Sequence, residues 1–169
     1  MIYLIVGSTG AGKTTYARKI AQELPAVVYS IDEWMRDLYG ADMPEDPKPQ
    51  WFYDNQKWYT ERIARCEKLI QHLSLQRAAI GQASLLDLGF TTKEHRLQWI
   101  RFFKEQGIEV HTHFLDVPVP VRKSRVEKRN SSKGDTFVMT VDDSLFEYME
   151  SIFEPPSENE GAKLILIQQ

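Results

Sequence analysis

An octapeptide near the start of the chain, 7–14, reads GSTGAGKT and has the spacing Gly-x-x-x-x-Gly-Lys-Thr. It stands between an apolar run, 2–6, and a segment with helical character. Glycines let the backbone curl until successive N–H groups face one point, and the N-terminus of the next helix directs its positive dipole end to the same point. A loop of this kind between a strand and a helix binds phosphate, so we predict that the chain binds a nucleoside triphosphate.

The residues of this phosphate loop have separate expected roles. Lys13 is expected to bridge the β- and γ-phosphates, and the Thr14 hydroxyl to bind a Mg²⁺ ion whose other ligands are mostly water and phosphate oxygen. Thr15 is expected to support the ligands of this Mg²⁺ ion from outside its coordination shell. A glycine turn that happens to carry a lysine is the alternative. The predicted nucleotide-binding residues are Gly7, Ser8, Thr9, Gly10, Ala11, Gly12, Lys13, Thr14 and Thr15.

Length and composition are typical of one domain, 1–169, with an ordinary hydrophobic content of 42%. The net charge of −3 gives no general attraction to nucleic acid or to an anionic membrane. No apolar run reaches the roughly 18 residues of a membrane-spanning helix, and no signal-peptide pattern opens the chain, so we expect a cytoplasmic protein. Cys66, the only cysteine, has apolar neighbours at helical spacing and is predicted to be a packed side chain.

Apolar strands alternate with amphipathic segments along the chain. The predicted strands are 2–6, 26–31, 83–88, 108–115 and 164–167. The predicted helices are 13–24, 33–39, 51–79, 92–106, 119–130 and 142–153. Thr91 and Glu94 are predicted to form a capping box before the fourth of these helices. This alternation predicts an α/β fold with a five-stranded parallel sheet flanked by helices and joined by right-handed crossovers.

Three aspartates, Asp32, Asp87 and Asp116, close or follow predicted strands. Ligands of an open parallel sheet bind beyond the carboxyl ends of its strands, so these residues are site candidates. Asp87 is predicted to hold Mg²⁺ or one of its waters, together with Thr14. Asp32 is predicted to accept a proton from an attacking hydroxyl. An N-cap for the helix 33–39 is the other role open to Asp32, which could serve both, whereas Asp116 is predicted to be a turn or cap residue.

The predicted helix 119–130 is basic. Its residues Arg122, Arg125 and Arg129 fall at i, i+3 and i+7 and therefore share one face. Phosphoryl transfer leaves negative charge on the γ-phosphoryl oxygens, and arginines from a closing lid stabilise that charge. We predict a lid over 119–136 that supplies at least one such arginine; a solvated surface helix is the alternative.

Five segments of the chain share a family likeness: IYLIVGSTGAGKTTYARKIAQEL, VVYSIDEW, SLLDLGFTTKEHR, FLDVPVPVRKSRVEKRN and FEPPSENEG. They resemble the P-loop kinase-like AAA-domain proteins and are similar to zeta toxins, chloramphenicol phosphotransferase and the kinase domain of polynucleotide kinase. The resemblance implies a P-loop NTPase fold that uses ATP and Mg²⁺. It also implies that Lys13 and Thr14 hold phosphate and metal, that Asp32 is the general base, and that Arg125 and Arg129 are lid arginines. Members phosphorylate very different hydroxyls, so the resemblance names no substrate.

An acceptor-binding region is predicted over 33–80, because seven aromatic residues between 34 and 59 flank a proline-rich loop, 41–50. Trp34 and Trp51 are the candidates for contact with an acceptor, and packing in the core is the alternative. Two functions remain open. One is an ATP-dependent phosphotransferase acting on a hydroxyl of a small molecule, nucleotide-sugar or nucleic-acid end; the other is a non-catalytic ATP-binding switch that controls a partner protein.

Overall fold

The computed structural model describes residues 1–132, 134 and 139–168. Within these ranges the chain forms five strands and seven α-helices, with short 3₁₀ turns at Gly40–Asp42 and Glu158–Glu160. The strands are β1 (Ile2–Val6), β2 (Ala26–Ser30), β3 (Ala83–Asp87), β4 (Val110–Leu115) and β5 (Lys163–Ile167). The helices are α1 (Lys13–Glu23), α2 (Ile31–Tyr39), α3 (Pro49–Asp54), α4 (Gln56–Ala79), α5 (Lys93–Glu105), α6 (Val119–Ser132) and α7 (Asp143–Ile152).

The five strands form one sheet in the order β2-β3-β1-β4-β5, and every neighbouring pair is parallel. The first strand lies at the centre, where Ile2 pairs with Ser84 of β3 on one side and with Val110 of β4 on the other. A central parallel strand is covered on both faces, which explains why β1 is an almost continuous apolar run. The predicted fold class, a five-stranded parallel sheet flanked by helices, is confirmed.

The two faces of the sheet bury separate apolar layers. Leu4 and Leu86 belong to the layer that α2, α4 and α5 cover, whereas Ile5 and Leu85 belong to the layer under α1. Successive residues of a strand point to opposite faces, so each strand contributes to both layers. Cys66 is buried in the first layer, as predicted, and burial raises the pKa of its thiol.

A serine cap moves the start of α2. The helix begins at Ile31, because the Ser30 hydroxyl at the end of β2 accepts a hydrogen bond from the Glu33 N–H at 3.5 Å. The sequence placed the strand to residue 31 and the helix from residue 33. Asp32 consequently lies in the first turn of α2, and its predicted alternative role as the N-cap is wrong.

The capping pair predicted for α5 is also wrong, by one residue. Thr92 is the N-cap, and its hydroxyl accepts a hydrogen bond from the His95 N–H at 3.3 Å. The Thr91 hydroxyl donates instead to the carbonyl oxygen of Gly89 at 3.4 Å. Both threonines have the side chain that a cap requires, and only the path of the backbone after β3 decides between them.

The predicted helix 51–79 is two helices. Pro49 begins α3, where a proline costs no helical hydrogen bond, and α3 ends before Asn55. The Asn55 backbone N–H and side-chain amide both donate to the Trp51 carbonyl oxygen, at 3.0 and 2.9 Å, and so close the last turn of α3. The chain then turns into α4, so the aromatic segment predicted to bind an acceptor contains a bend.

Helix α6 covers most of the predicted lid, 119–136. Residues 133 and 135–136 of that lid lie outside the described residues. Val126 of α6 is buried with Val141 and with Phe146 of α7, which makes a small third apolar cluster. Within the parts of the chain that the structure describes, no helix combines the length and apolar character needed to cross a lipid bilayer.

Candidate active site

The phosphate loop leaves the carboxyl end of the central strand and leads into α1. Gly10 and Gly12 have φ angles of 79° and 89°, in the left-handed region that glycine adopts without steric cost. The Lys13 ammonium lies back across the loop and donates to the carbonyl oxygen of Gly7 at 2.8 Å. The curled backbone and the enclosed lysine are the arrangement that phosphate binding requires.

Helix α6 rests directly on this loop. A Cβ atom on Gly10 would lie 2.6 Å from the Arg122 carbonyl oxygen and 3.0 Å from a methyl group of Val126. One turn further along, the Arg125 guanidinium donates to the Ala11 carbonyl oxygen at 3.2 Å. The structure therefore brings Arg125, one of the two predicted lid arginines, against the phosphate loop.

The two predicted metal residues touch each other. The Thr14 hydroxyl donates to Asp87 Oδ2 at 2.7 Å, and Asp87 is only 6% exposed. Burial raises the pKa of Asp87, whereas the charge of Lys13 and the bond from Thr14 lower it. Hydroxyl and carboxylate oxygens are hard donors of the kind that Mg²⁺ accepts, and Mg²⁺ takes its remaining ligands from water and phosphate. The residues present fit a magnesium ion.

Asp32 lies beside this pair, because β2 and β3 are neighbours and Ser30 is in register with Asp87. The Asp32 side chain keeps contact with solvent. Its pKa is raised, first because the surrounding protein disfavours its charge and then because of the charge on Asp87, whereas Lys13 and Arg129 lower it. A carboxylate with a raised pKa holds a proton better than an ordinary aspartate, which suits a general base.

Arg129 is the second predicted lid arginine, and the structure places it within electrostatic reach of Asp32. Its Nε atom is buried and has no hydrogen-bond partner among the described residues. Burial lowers the pKa of Arg129, but a guanidinium stays protonated in proteins. The structure thus presents a cation with an unused donor close to Asp32.

Arg122 does not share this position. It is 6% exposed, and both terminal nitrogens of its guanidinium donate to the Glu150 carboxylate at 2.6 Å. Its Nε donates to the Val117 carbonyl oxygen at 2.8 Å. Of the three arginines on the predicted face of α6, Arg122 is therefore paired with Glu150, and the lid role of Arg125 and Arg129 stays a prediction. Nothing in the local sequence distinguishes Arg122 from its neighbours, since its partner Glu150 lies on another helix.

The aromatic residues of the predicted acceptor region pack largely on one another. Trp51 and Trp58 have ring centroids 5.7 Å apart in an edge-to-face arrangement, and Trp34 packs in the same way on a core tyrosine. Tyr59 has a different environment: burial and the charge of Asp32 raise its pKa to about 12. Tyr59 thus lies within reach of the Asp32 charge, and sequence analysis did not single it out.

The sequence model of the AAA domain family matches residues 2–156. The chain belongs to this family. That membership confirms the resemblance to P-loop kinase-like AAA-domain proteins. A shikimate kinase from Psychrobacter arcticus is 29% identical over 130 residues, which are 75% of this chain and 60% of the kinase. A cytidylate kinase from Pyrobaculum calidifontis is 26% identical over 147 residues, 85% of this chain and 68% of that protein.

Solved structures show the same fold for this AAA-domain chain. Kti12 from Chaetomium thermophilum, in complex with ADP-AlF3, matches with a TM-score of 0.68 and 17% identity over 99% of this chain and 89% of that chain. A sugar kinase from Janibacter sp. matches with a TM-score of 0.62 and 18% identity over 99% of this chain and 84% of that chain. The matched part of the chain spans 60% of the shikimate kinase's length. The chain is a P-loop kinase-like domain.

Proposed function

We propose that this protein is an ATP-dependent phosphotransferase that moves the γ-phosphoryl group of ATP to a hydroxyl of a small molecule, a nucleotide-sugar or a nucleic-acid end. One observation carries the proposal. At the carboxyl edge of the sheet, beside the phosphate loop, Asp32 lies close enough to Asp87, Lys13 and Arg129 for their charges to act on it. Family membership and kinase relatives support the proposal.

In the proposed reaction, the backbone N–H groups of the loop and Lys13 hold the β- and γ-phosphates. Thr14 and Asp87 would hold Mg²⁺, which neutralises phosphate charge when bound. Asp32 accepts the proton of the acceptor hydroxyl while that oxygen bonds to the γ-phosphorus and the bond to the β–γ bridging oxygen breaks, leaving ADP. Arg129, and Arg125 from the loop side, stabilise the charge on the transferring group.

We propose one domain, 1–169, with the acceptor bound by the helical region 33–80 and covered by the lid 119–136. The placement of Asp32 in the first turn of α2 and the reach of its charge to Tyr59 on α4 support the helical region as the acceptor side. Two relatives are kinases named for shikimate and for cytidylate, which are small molecules. We propose an acceptor of comparable size rather than a protein.

Replacing Asp32 with asparagine is expected to lower phosphoryl transfer by roughly 10²–10⁴-fold while ATP binding stays close to that of the wild type. The same variant should melt at a higher temperature at neutral pH. The folded-state pKa of Asp32 lies above its unfolded value of 3.8, so stability falls as pH rises through the interval between the two. Asparagine cannot ionise, so the variant does not lose stability in this pH interval. The difference in melting temperature between the variant and the wild type should vanish below about pH 4.

Labelled-ATP transfer to a panel of antibiotics, nucleosides, sugars and 5′-hydroxyl oligonucleotides measures the first effect, and pH-dependent calorimetry measures the second. Lys13→Ala gives the baseline without turnover, and Asp37→Asn, on the exposed face of the same helix, is the matched control. Full transfer activity in Asp32→Asn would remove the general-base role. ADP release that ignores every added acceptor would favour the non-catalytic switch instead.

Replacing Asp87 with asparagine should raise the Mg²⁺ concentration for half-maximal turnover by roughly 10–100-fold, because the amide still bonds to Thr14 but carries no charge for the metal. Steady-state rates over a Mg²⁺ titration at saturating ATP measure the shift. Asp116→Asn is the matched control, since Asp116 is exposed and follows β4, which lies two strands away from β3 in the sheet. Equal Mg²⁺ requirements in Asp87→Asn and the wild type would contradict the proposed metal role.

A further inference from the structure

A largely buried ion pair lies directly behind the phosphate loop. The Glu150 carboxylate, on α7, accepts two hydrogen bonds of 2.6 Å from Arg122, on α6. The same carboxylate accepts a hydrogen bond from the hydroxyl of Ser8, the second residue of the loop. The side chains of Arg122 and Glu150 are 7% and 27% exposed. We call these three residues, Ser8, Arg122 and Glu150, the brace.

The brace holds the first half of the loop at several points. Arg122 also donates to the Thr9 carbonyl oxygen at 3.2 Å, so one guanidinium contacts both the backbone of the loop and the carboxylate that binds Ser8. The Arg122 carbonyl oxygen in turn limits the space beside Gly10. Three successive loop residues therefore depend on Arg122 or on its partner Glu150 for their position.

The chemistry of the pair is unexpected at this place. A carboxylate bonded to a phosphate-binding loop opposes the binding of a polyanion unless another charge balances it. The pKa of Glu150 is lowered, chiefly by its hydrogen bonds from Arg122, so Glu150 is an anion at neutral pH. Arg122 supplies the balancing cation at 2.6 Å. A Glu150 carboxylate without its arginine would therefore oppose the binding of a triphosphate.

We propose that the brace sets the affinity of the phosphate loop for di- and triphosphates, and that Glu150 and Arg122 are positioning residues of the nucleotide site. Helix α7 is then part of the nucleotide site, although the sequence indicated no role for it. This inference rests on the proposed ATP site but not on phosphoryl transfer or on the identity of an acceptor.

The test is the Kd for ATP in the presence of Mg²⁺, measured by calorimetry on the full chain. Arg122→Met should raise the Kd by roughly tenfold or more, because it leaves Glu150 as an unbalanced charge bonded to the loop. Glu150→Gln should change it by less than about threefold. The double variant, Arg122→Met with Glu150→Gln, should return to within about threefold of the wild type, since both charges are then absent. AMP, which lacks the β-phosphate, should show a smaller effect.

Ser8→Ala keeps the ion pair and removes only its bond to the loop, so it serves where Arg122→Met does not fold. We expect it to raise the Kd about fivefold. The matched control is the exposed ion pair between the same two helices, Lys123 with Asp143 at 3.6 Å. Lys123→Met and Asp143→Asn should leave the Kd within twofold of the wild type.

A double variant that binds ATP as weakly as Arg122→Met would overturn the charge-balance role, because a purely structural defect is not relieved by removing the second charge. A Kd within twofold of the wild type in Ser8→Ala would overturn the proposal that the bond between Ser8 and Glu150 positions the loop. Neither result would count against ATP binding by the wild-type protein, so the proposed function would stand. A wild-type protein that does not bind ATP would instead overturn the proposed function and the brace together.

Discussion

Replacing Arg129 with alanine is expected to lower kcat for phosphoryl transfer by roughly 10³-fold or more, while the Kd for ATP changes by less than about tenfold. An arginine that meets the transferring group chiefly in the transition state is worth 10³–10⁵ in related chemistry. Arg129 suits that role because its buried Nε is unpaired among the described residues and the charge of Asp32 acts on it. Arg129→Lys should recover only part of the loss, since lysine keeps the charge without the planar fork.

Single-turnover kinetics with the acceptor found by the transfer screen separate this effect from nucleotide binding. Arg125→Ala should be measured alongside, because Arg125 bonds to the loop at Ala11 and is expected to affect binding as well as rate. Lys128→Ala, exposed on the same helix, is the matched control. If Arg129→Ala and Arg125→Ala both keep kcat within a few-fold of the wild type, α6 is not a catalytic element.

Replacing Arg96 with methionine is expected to lower the free energy of unfolding by about 3–5 kcal/mol, the usual cost of removing one partner of a buried ion pair. Arg96 is fully buried, and its guanidinium donates to the Glu160 carboxylate at 2.7 and 2.8 Å. It also donates to the carbonyl oxygen of Phe90, a buried residue with a φ of 33°. Methionine would leave both the carboxylate and this carbonyl without their partner.

Urea denaturation at neutral pH measures the loss. Arg101→Met is the matched control, because Arg101 is an exposed arginine on the same helix and should cost little. Adding Glu160→Gln to Arg96→Met should recover part of the stability, since the unpaired carboxylate carries most of the penalty. A loss below about 1 kcal/mol in Arg96→Met would show that solvent reaches Glu160 readily and that the pair does not stabilise the domain.

The part of the site that sequence analysis predicted depends on short-range pattern and on strand order. The loop is a continuous motif, and Asp32 and Asp87 come at the ends of strands that any parallel sheet would align. The Thr14–Asp87 contact follows from that alignment. These features needed no knowledge of how side chains pack.

The two missed features differ in their cause. Arg122 looks like its basic neighbours until α7 brings Glu150 against it, 28 residues further along the chain, so tertiary geometry decides its role. The choice of Ser30 over Asp32 as the cap of α2 is local, because Ser30 bonds to the Glu33 N–H three residues away. Ser30 and Glu33 have the Ser-x-x-Glu spacing typical of a helix start, so the sequence did carry a signal for this cap.

The central position of β1 has a consequence for the order in which the protein is made. The strand that leads into the phosphate loop precedes both of its neighbours, β3 and β4, along the chain, so Ile2 cannot pair with Val110 until β4 has been made. Contacts this far apart in sequence form late, after a large loss of chain entropy. A growing chain that stops before β4 exposes one edge of its central strand, which is a template for aggregation. The phosphate-binding motif is therefore made before β3 and β4, and the strand that leads into it becomes fully paired only after β4 has been made.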